Sequence, residues 1–273
     1  MRVTLIGSGN IATVLGKKIL ESGHTIVQVY SRNIHHAQSL AYELSAEAVN
    51  EIEDNADIYI VAVSDDALYN ISSWMKPVKG FIVHTAGSVS IDVLKDMSAN
   101  YGVLWPLQSV RKETSNVPVL PVLIDANNPW NKMKLKGFAQ SFADSVAEAN
   151  DEERRKLHLA AVITNNFSNY IFSLVEKYCN DEGVNFKLLI SLLAETASRM
   201  QEHSPADLQT GPAIRNDVGT IDNHRELLRS YPELLEVYLF FTERIVNRES
   251  RVDSRENESQ ENESRESTVE SGS

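Results

Sequence analysis

The sequence has one cysteine, no long apolar run and few basic residues for its acidic content. Cys179 cannot form an internal disulfide. No run of about 18 apolar residues occurs, and the first residues lack the apolar stretch of a secretory signal, so we expect no membrane segment and a cytoplasmic location. The formal charge of −12 argues against nucleic acid or an anionic membrane as the main partner.

The acidity is partly concentrated at the end of the chain. Residues 248–273 contain eight acidic and four basic side chains, and their only hydrophobic residues are two valines. Such a segment cannot bury enough apolar surface to offset the entropy of ordering it, so we predict a disordered charged tail. A tail that recruits a partner protein is the alternative.

The remaining sequence divides near residue 150. Residues 1–150 alternate short apolar runs with amphipathic stretches, a pattern typical of βαβ units on a parallel sheet covered by helices on both faces. After Asn150, which begins a capping sequence with Glu153, the patterns are helical. We therefore predict a Rossmann-type doubly wound α/β domain in residues 1–150 and an all-α domain in residues 151–247. No CxxC or HExxH spacing occurs, so no metal site is predicted. The predicted strands begin at Arg2, Thr25, Ile58, Phe81, Tyr101 and Val119, and the helices between them cover residues 11–22, 35–44 and 67–75.

The clearest motif directly follows the first predicted strand and opens the first helix. A GxGxxA sequence at this place permits a tight turn, close approach of the backbone to a diphosphate, and close packing of helix on strand. Free N–H groups at the start of the helix attract the same anion. We predict dinucleotide binding here, with a merely structural glycine turn as the alternative. The residues are Gly7, Ser8, Gly9, Asn10, Ile11 and Ala12.

The end of the second predicted strand favours NADP(H) over NAD(H). NAD-selective sites usually carry an acidic residue here, whereas this sequence reads Tyr30-Ser31-Arg32. Ser31 can donate a hydrogen bond to a 2′-phosphate, and Arg32 can pair with it. A solvated turn role for Arg32 is the alternative.

Two further strand ends should border the cofactor, because ligands of open α/β sheets bind beyond the carboxyl ends of the strands. Val63 and Ser64 are expected to line the dinucleotide, while Asp65 and Asp66 are expected to cap the following helix. His84 is predicted near the reactive ring, where it would donate to a carbonyl or bind a carboxylate. A histidine whose hydrogen bonds are satisfied by the backbone is the alternative.

The segments GSGNIATVL, VAVSDDAL, HTAGSVS, WPLQSV and TGPAIRNDVGTIDNH together resemble the Rossmann-like NADP oxidoreductases with a helical domain of uncharacterised type. These are relatives of pyrroline-5-carboxylate reductase, of the alternative ketopantoate reductase group and of 6-phosphogluconate-dehydrogenase-like proteins. Over about residues 1–245, the resemblance implies a helical domain of the 6-phosphogluconate dehydrogenase type and a homodimer formed through it. It also implies hydride transfer between NADPH and a small C=O or C=N compound. Family members usually have His-Pro where this sequence has Trp105-Pro106, which leaves an acid–base role at position 105 unsupported.

The helical half supplies candidates for substrate chemistry, since reduction requires a positioned donor besides the cofactor. His158 and Asn165 are seven residues apart and would share one face of a regular helix. We predict Asn165 or Asn166 as the donor to the carbonyl and His158 as the proton source. Polar residues that satisfy one another at a helical dimer interface are the alternative.

The predicted break between helices around Gly211 contains a further candidate for substrate binding. Arg215 can clamp a substrate carboxylate with its planar fork, and Asp217 lies beside it. An Arg215–Asp217 pair that merely fixes the turn is the alternative.

These observations favour an NADPH-dependent reductase of a small keto or imino acid, of the ketopantoate or pyrroline-carboxylate kind, with its site in the cleft between the two domains. Three other hypotheses remain: a catalytically silent NADP(H)-binding sensor or regulatory subunit, an oxidoreductase that passes hydride between NADP and a deazaflavin coenzyme, and an interaction module that acts through its tail.

Overall fold

The computed structural model describes residues 1–112 and 119–247, so the predicted tail from Arg248 to Ser273 lies outside the described residues. Contacts within the chain divide it into two compact units, Met1–Asn165 and the part from Asn166 onwards. The first unit extends past the predicted boundary near residue 150 because the helix Asp151–Ala161 is anchored to Val89 by the buried Arg154.

The first unit is built on an eight-stranded sheet in the order β3-β2-β1-β4-β5-β6-β7-β8. Every neighbouring pair is parallel except the antiparallel pair β6–β7. The strand order reverses direction between β1 and β4, which is the switch point where such sheets bind ligands. This arrangement confirms the predicted Rossmann-type architecture. The strands are β1 (Arg2–Ile6), β2 (Thr25–Tyr30), β3 (Glu47–Val49), β4 (Ile58–Val61), β5 (Phe81–His84), β6 (Tyr101–Pro106), β7 (Pro121–Ala126) and β8 (Ser145–Glu148).

Both faces of the sheet are buried, as the nearly uncharged strands predicted. Successive residues of a strand point to opposite faces. Leu5 and Ile6 are therefore both fully buried, yet they belong to separate hydrophobic clusters. Ile60 and Val61 repeat the pattern in β4. The helices of this unit are α1 (Asn10–Glu21), α2 (Ile34–Glu43), α3 (Asp65–Tyr69), α4 (Pro129–Gln140) and α5 (Asp151–Ala161).

The described part of the second unit contains helices and no strands, with turns and loops over residues 201–217. The regular helix predicted onward from Asn150 is wrong in one respect, because a π-helical turn, Val162–Phe167, separates α5 from the next helix. In the described part of the chain, no helix is long and apolar enough to cross a membrane, and no group of His, Cys, Asp and Glu side chains could hold a metal ion. The helices are α6 (Ser168–Asp181), α7 (Ile190–Arg199), α8 (Val218–Leu227) and α9 (232–247).

Candidate functional site

A cavity of about 610 Å³ opens at the carboxyl ends of five strands in the first unit. Its wall runs from the end of β2 to the end of β6, which are four positions apart in the sheet. At the usual spacing of neighbouring strands, that separation is about 19 Å. The cavity therefore suits an elongated ligand that crosses the switch point between β1 and β4.

The glycine motif forms the middle of this wall. Gly7 has φ +121°, and a Cβ at this position would lie 2.1 Å from the carbonyl oxygen of Ala62, so no other residue fits. Gly9 is the N-cap of α1 and lines the cavity, and a Cβ there would meet no atom within 4 Å. Because no side chain caps α1, the N–H groups of its first turn remain available to an anion. This cradle fits a diphosphate.

The other four residues of the motif differ in whether they line the cavity or are buried. Ser8, Asn10 and Ile11 line the cavity, whereas Ala12 is fully buried within α1. Burial is the packing role that the last position of the motif requires. The contribution of Ala12 is therefore to helix–strand packing rather than to direct contact with a ligand.

The β2 side of the cavity carries the residues expected to select NADP(H). Ser31 and Arg32 both line it, and the hydroxyl of Ser8 donates a hydrogen bond to Ser31 Oγ at 2.9 Å. His36, on the first turn of α2, lines the same side and was not predicted from the sequence. Its spacing of four residues from Arg32 was the available signal. Among the described lining residues, the single carboxylate is that of Asp65, which belongs to the β4 end.

Two aromatic rings add a flat wall beside these polar groups. Tyr30 and Trp74 are stacked with centroids 5.9 Å apart and an interplanar angle of 4°, and both line the cavity. The indole N–H of Trp74 donates to the carbonyl of Ala67 at 3.0 Å, which fixes the ring. The sequence placed Trp74 within a helix predicted over residues 67–75, which is wrong at this end: α3 stops at Tyr69, and Trp74 follows a short 3₁₀ turn, Ile71–Ser73.

The β4 end places Val63 and Ser64 on the cavity wall, where the sequence predicted them. The N-cap of α3 is Ser64, so the expected capping by Asp65 and Asp66 is wrong in register: both lie in the first helical turn. Their negative charges there still favour the helix dipole. Asp65 Oδ2 also accepts a hydrogen bond from the hydroxyl of Ser88 at 2.7 Å.

The β5–β6 side of the cavity is formed by Gly87, Trp105 and His158 in close contact. A Cβ at Gly87 would lie 2.7 Å from the Trp105 indole and 2.8 Å from His158 Cδ2, so a side chain here would displace one of the rings. The rings of Trp105 and His158 are 5.8 Å apart and inclined at 56°. His158 is the only titratable side chain among the described residues lining this side.

His84 does not face the cavity, which corrects the prediction of a proton-donating histidine at this strand end. Its side chain is 0% exposed, and its Nδ1 accepts the N–H of Ala86 at 3.2 Å. Burial, and then the nearby charge of Arg154, lower the pKa of His84 to about 3. His84 is therefore a neutral core residue whose Nδ1 accepts a backbone N–H, while its buried Nε2 has no hydrogen-bond partner among the described residues, so the alternative interpretation holds for Nδ1 alone.

Arg154 is a fully buried cation that the sequence analysis missed. Its Nη2 donates to the carbonyl of Val89 at 2.5 Å and to Asp151 Oδ1 at 2.6 Å. Asp151 also accepts the N–H of Ile91 at 3.2 Å. Burial alone would raise the pKa of Asp151, but hydrogen bonds from Ser90, Arg154 and Ile91 outweigh it and lower the pKa. The i,i+3 spacing of Asp151 and Arg154 was the available signal.

The remaining predicted residues lie outside the cavity of the first unit. Asn165 and Asn166 are in the π-helical turn, where the i→i+5 pattern departs from the regular helical spacing on which their grouping with His158 was based. In the second unit, Asp217 caps α8 by accepting the N–H of Thr220 at 3.1 Å and its hydroxyl at 2.8 Å. These bonds lower the pKa of Asp217, with a smaller contribution from the charge of Arg215. The substrate roles of Arg215 and Asp217 stay predictions.

The glycine cradle, the uncapped α1 and the elongated cavity define the first unit as a dinucleotide-binding domain of the Rossmann type. Residues 2–86 match the family described as NADP oxidoreductase, coenzyme F420-dependent, and residues 120–245 match a domain of unknown function, DUF2520. A candidate NADP oxidoreductase from Bacteroides fragilis is 33% identical, with a TM-score of 0.81, over 90% of this chain and 98% of that one. The chain therefore belongs to the NADP oxidoreductase family, and its cofactor is NADP(H).

More distant solved structures share the fold. A 1-pyrroline-5-carboxylate reductase from Streptococcus pyogenes is 15% identical with a TM-score of 0.62, over 92% of this chain and 98% of that one. A reductive aminase from Aspergillus terreus, in complex with NADPH and ethyl-5-oxohexanoate, is 17% identical with a TM-score of 0.66, over 90% and 94%. No curated protein matches the sequence significantly.

Proposed function

We propose that this oxidoreductase is a reductase that uses NADPH to reduce a small keto or imino acid, with His158 as the proton donor. The observation that carries the proposal is the placement of His158. It is the one titratable side chain, among the described lining residues, on the side of the cavity farthest from Ser31 and Arg32. A dinucleotide whose 2′-phosphate meets Arg32 would extend toward that side.

The chemistry assigned to the chain is a proton transfer. Bound NADPH supplies a hydride to carbon, and the oxygen or nitrogen of the substrate must then gain a proton to give an alcohol or an amine. The imidazole of His158 can provide that proton and recover it from water. Close contact with Gly87 and Trp105 restricts where the ring can lie, which favours a fixed direction of transfer.

The proposed substrate class is supported by the structural neighbours and by the residues proposed to bind the substrate. Two structural neighbours are a pyrroline-5-carboxylate reductase and a reductive aminase, so cyclic imino acids and imines are the first compounds to test. Arg215 is the residue that we propose for binding a carboxylate, because its guanidinium offers two parallel donors. Asn165 and Asn166 remain proposed as donors to the reacting carbonyl or imine.

Steady-state kinetics tests the role of His158. NADPH oxidation would be followed with a panel of keto acids, cyclic imino acids and imines, using the wild type, His158→Gln and the exposed control His35→Gln. We expect turnover of at least one compound, and a kcat about 10²-fold lower in His158→Gln, since a general acid typically contributes 10²–10⁴-fold. The Kd for NADPH should change less than about 2-fold. Wild-type kcat in His158→Gln would contradict the assignment.

The same panel separates the two other oxidoreductase-fold hypotheses. One family description names coenzyme F420, a deazaflavin, so that coenzyme belongs in the panel as a hydride acceptor. Turnover with F420 alone would replace the keto- or imino-acid proposal. Tight NADPH binding without turnover of any compound would favour the silent sensor.

We also propose that the helical unit forms a homodimer. Large apolar side chains of its described part are exposed, among them Leu188 at 71% and Leu192 and Leu227 at 61% each. Several large exposed apolar side chains on one unit are a feature of protein interfaces, and a second copy is the occupant that the family resemblance implies. Sedimentation should give about twice the monomer mass of 30.5 kDa; a monomer at micromolar concentration would contradict the dimer. We also propose a cytoplasmic location, as the lack of a secretory signal in the sequence led us to expect.

A further inference from the structure

Arg154 has the largest fully buried side chain among the described residues. Only its Nη2 is engaged, by Val89 and Asp151, while Nε and Nη1 have no hydrogen-bond partner in residues 1–112 and 119–247. Burying a cation with donors unmet is costly, and apolar residues of similar volume often stabilise a fold as well or better. Stability alone therefore does not account for an arginine at this position.

The segment between β5 and the short helical turn at Ile91 is attached at three points. The N–H of Ala86 is bound by His84, the carbonyl of Val89 by Arg154, and the N–H of Ile91 by Asp151. The last two attachments come from the first turn of α5. The same segment contains Gly87, which lines the cavity.

Arg154 also belongs to the helix that carries the proposed proton donor. His158 follows it by four residues, so the two side chains lie on neighbouring positions of one face of α5. The gap between α5 and the loop is small at Gly87, where an added Cβ would lie 2.8 Å from His158. A shift of α5 relative to Val89 would therefore change where the imidazole meets the cavity wall.

We propose that Arg154 is a positioning residue for His158. Its guanidinium joins the first turn of α5 to the loop carbonyl of Val89, and so fixes the imidazole against Gly87 and Trp105. This inference rests on the proposed role of His158 as the proton donor. The charge of Arg154 has a second effect that supports the arrangement: it helps to keep His84 neutral, so that Nδ1 can accept the N–H of Ala86.

The test compares Arg154→Met, which removes the charge but keeps an unbranched chain, with Arg154→Lys, which keeps a donor for Val89 and Asp151. The matched control is Arg155→Met, because Arg155 is the neighbouring residue of α5 and is exposed. The double variant Arg154→Met/Asp151→Asn removes the carboxylate that the single variant leaves unpaired. Three quantities are measured on the full chain: the Kd for NADPH, kcat and KM with a compound from the panel, and the imidazole ¹⁵N resonances of His158 in the NADP⁺ complex, assigned with His158→Gln.

We expect Arg154→Met to lower kcat at least 10-fold and to shift the His158 resonances, with the Kd for NADPH changed less than about 2-fold. The cofactor affinity should persist because the glycine cradle and Arg32 lie on other strand ends. Arg154→Lys should recover at least half of the wild-type kcat, and Arg155→Met should match the wild type. If Arg154→Met does not fold, the double variant should show the same losses and Arg154→Lys the same recovery.

Wild-type kcat and unshifted His158 resonances in Arg154→Met, or in the double variant, would overturn the proposal. Loss of NADPH affinity in parallel with kcat would also overturn it, because that outcome marks a general structural role. The resonances require no turnover, so the inference is tested even if no compound in the panel is reduced. A shift in Arg154→Met but not in Arg155→Met would then support the positioning role while the proposed reaction fails.

Discussion

The first unit should lose stability between pH 7 and pH 5 because it buries His84 in the neutral form. Burial, and secondly the charge of Arg154, lower the pKa of His84 to about 3 in the folded chain, against about 6.5 for an unperturbed histidine. Between these two values the unfolded state binds more protons, so the free energy of unfolding rises with pH. The stabilisation is fully present above about pH 6.5 and is lost as the pH falls toward 3.

The expected size of the effect follows from the two pKa values. Proton linkage for a single group with these values gives a loss of about 2 kcal/mol between pH 7 and pH 5. Urea unfolding followed by tryptophan fluorescence reports on the right part of the molecule, since all three tryptophans lie in the first unit. His84→Gln is the informative variant, because its neutral amide cannot gain a proton in this pH interval. His35→Gln, at an exposed position, is the control.

Wild type and His35→Gln should each lose about 2 kcal/mol more than His84→Gln over this pH interval. Equal pH dependence in the wild type and His84→Gln would contradict a lowered pKa for His84. It would mean that His84 gains a proton in the folded state as readily as in the unfolded chain, and would return it to consideration as a proton donor.

Three further predictions concern the cofactor. Gly7→Ala should lower NADPH affinity at least 10-fold in a fluorescence titration and destabilise the first unit by about 1–3 kcal/mol in urea unfolding. The reason is that φ at Gly7 is positive and an added Cβ would meet Ala62. Unchanged affinity and stability would contradict the described turn. Arg32→Ala should weaken NADPH binding about 10- to 100-fold and leave NADH unchanged, from ~1.5–3 kcal/mol for a charged hydrogen bond. His36→Ala should weaken NADPH binding about 2- to 10-fold, and His35→Ala is the matched control. If Arg32→Ala or His36→Ala weakened NADH binding as much as NADPH binding, the substituted residue would lie away from the 2′-phosphate.

Local sequence patterns were sufficient to predict many of the strands and helices. β1, β2 and β5 were predicted at their observed bounds because each is a short apolar run that ends at a turn. β3 and β8 were missed, since the first has three residues and the second is largely exposed at the edge of the sheet. α4 was missed although Asn128 and Pro129 form a good helix start, because few apolar residues mark its buried face.

The residues of the candidate site also include some that local sequence patterns predict and others that they do not. Gly7, Gly9 and Arg32 could be placed from the sequence because they adjoin strand ends whose positions the pattern fixes. The distinction between His84 and His158 depends on burial, which is decided by packing from distant segments and has no local signal. The buried contact of Arg154 with Val89 joins residues far apart in the sequence, so only the folded structure reveals it.

We propose that the cavity at the carboxyl ends of the strands binds NADP(H) through its 2′-phosphate. The most direct test is a calorimetric titration of the wild-type protein with NADPH and, separately, with NADH at fixed ionic strength. We expect NADPH to bind at least 10-fold more tightly, a difference of about 1.4 kcal/mol. Equal affinity for the two nucleotides would contradict the roles of Ser31 and Arg32, and binding of neither would contradict a cofactor site in this cavity.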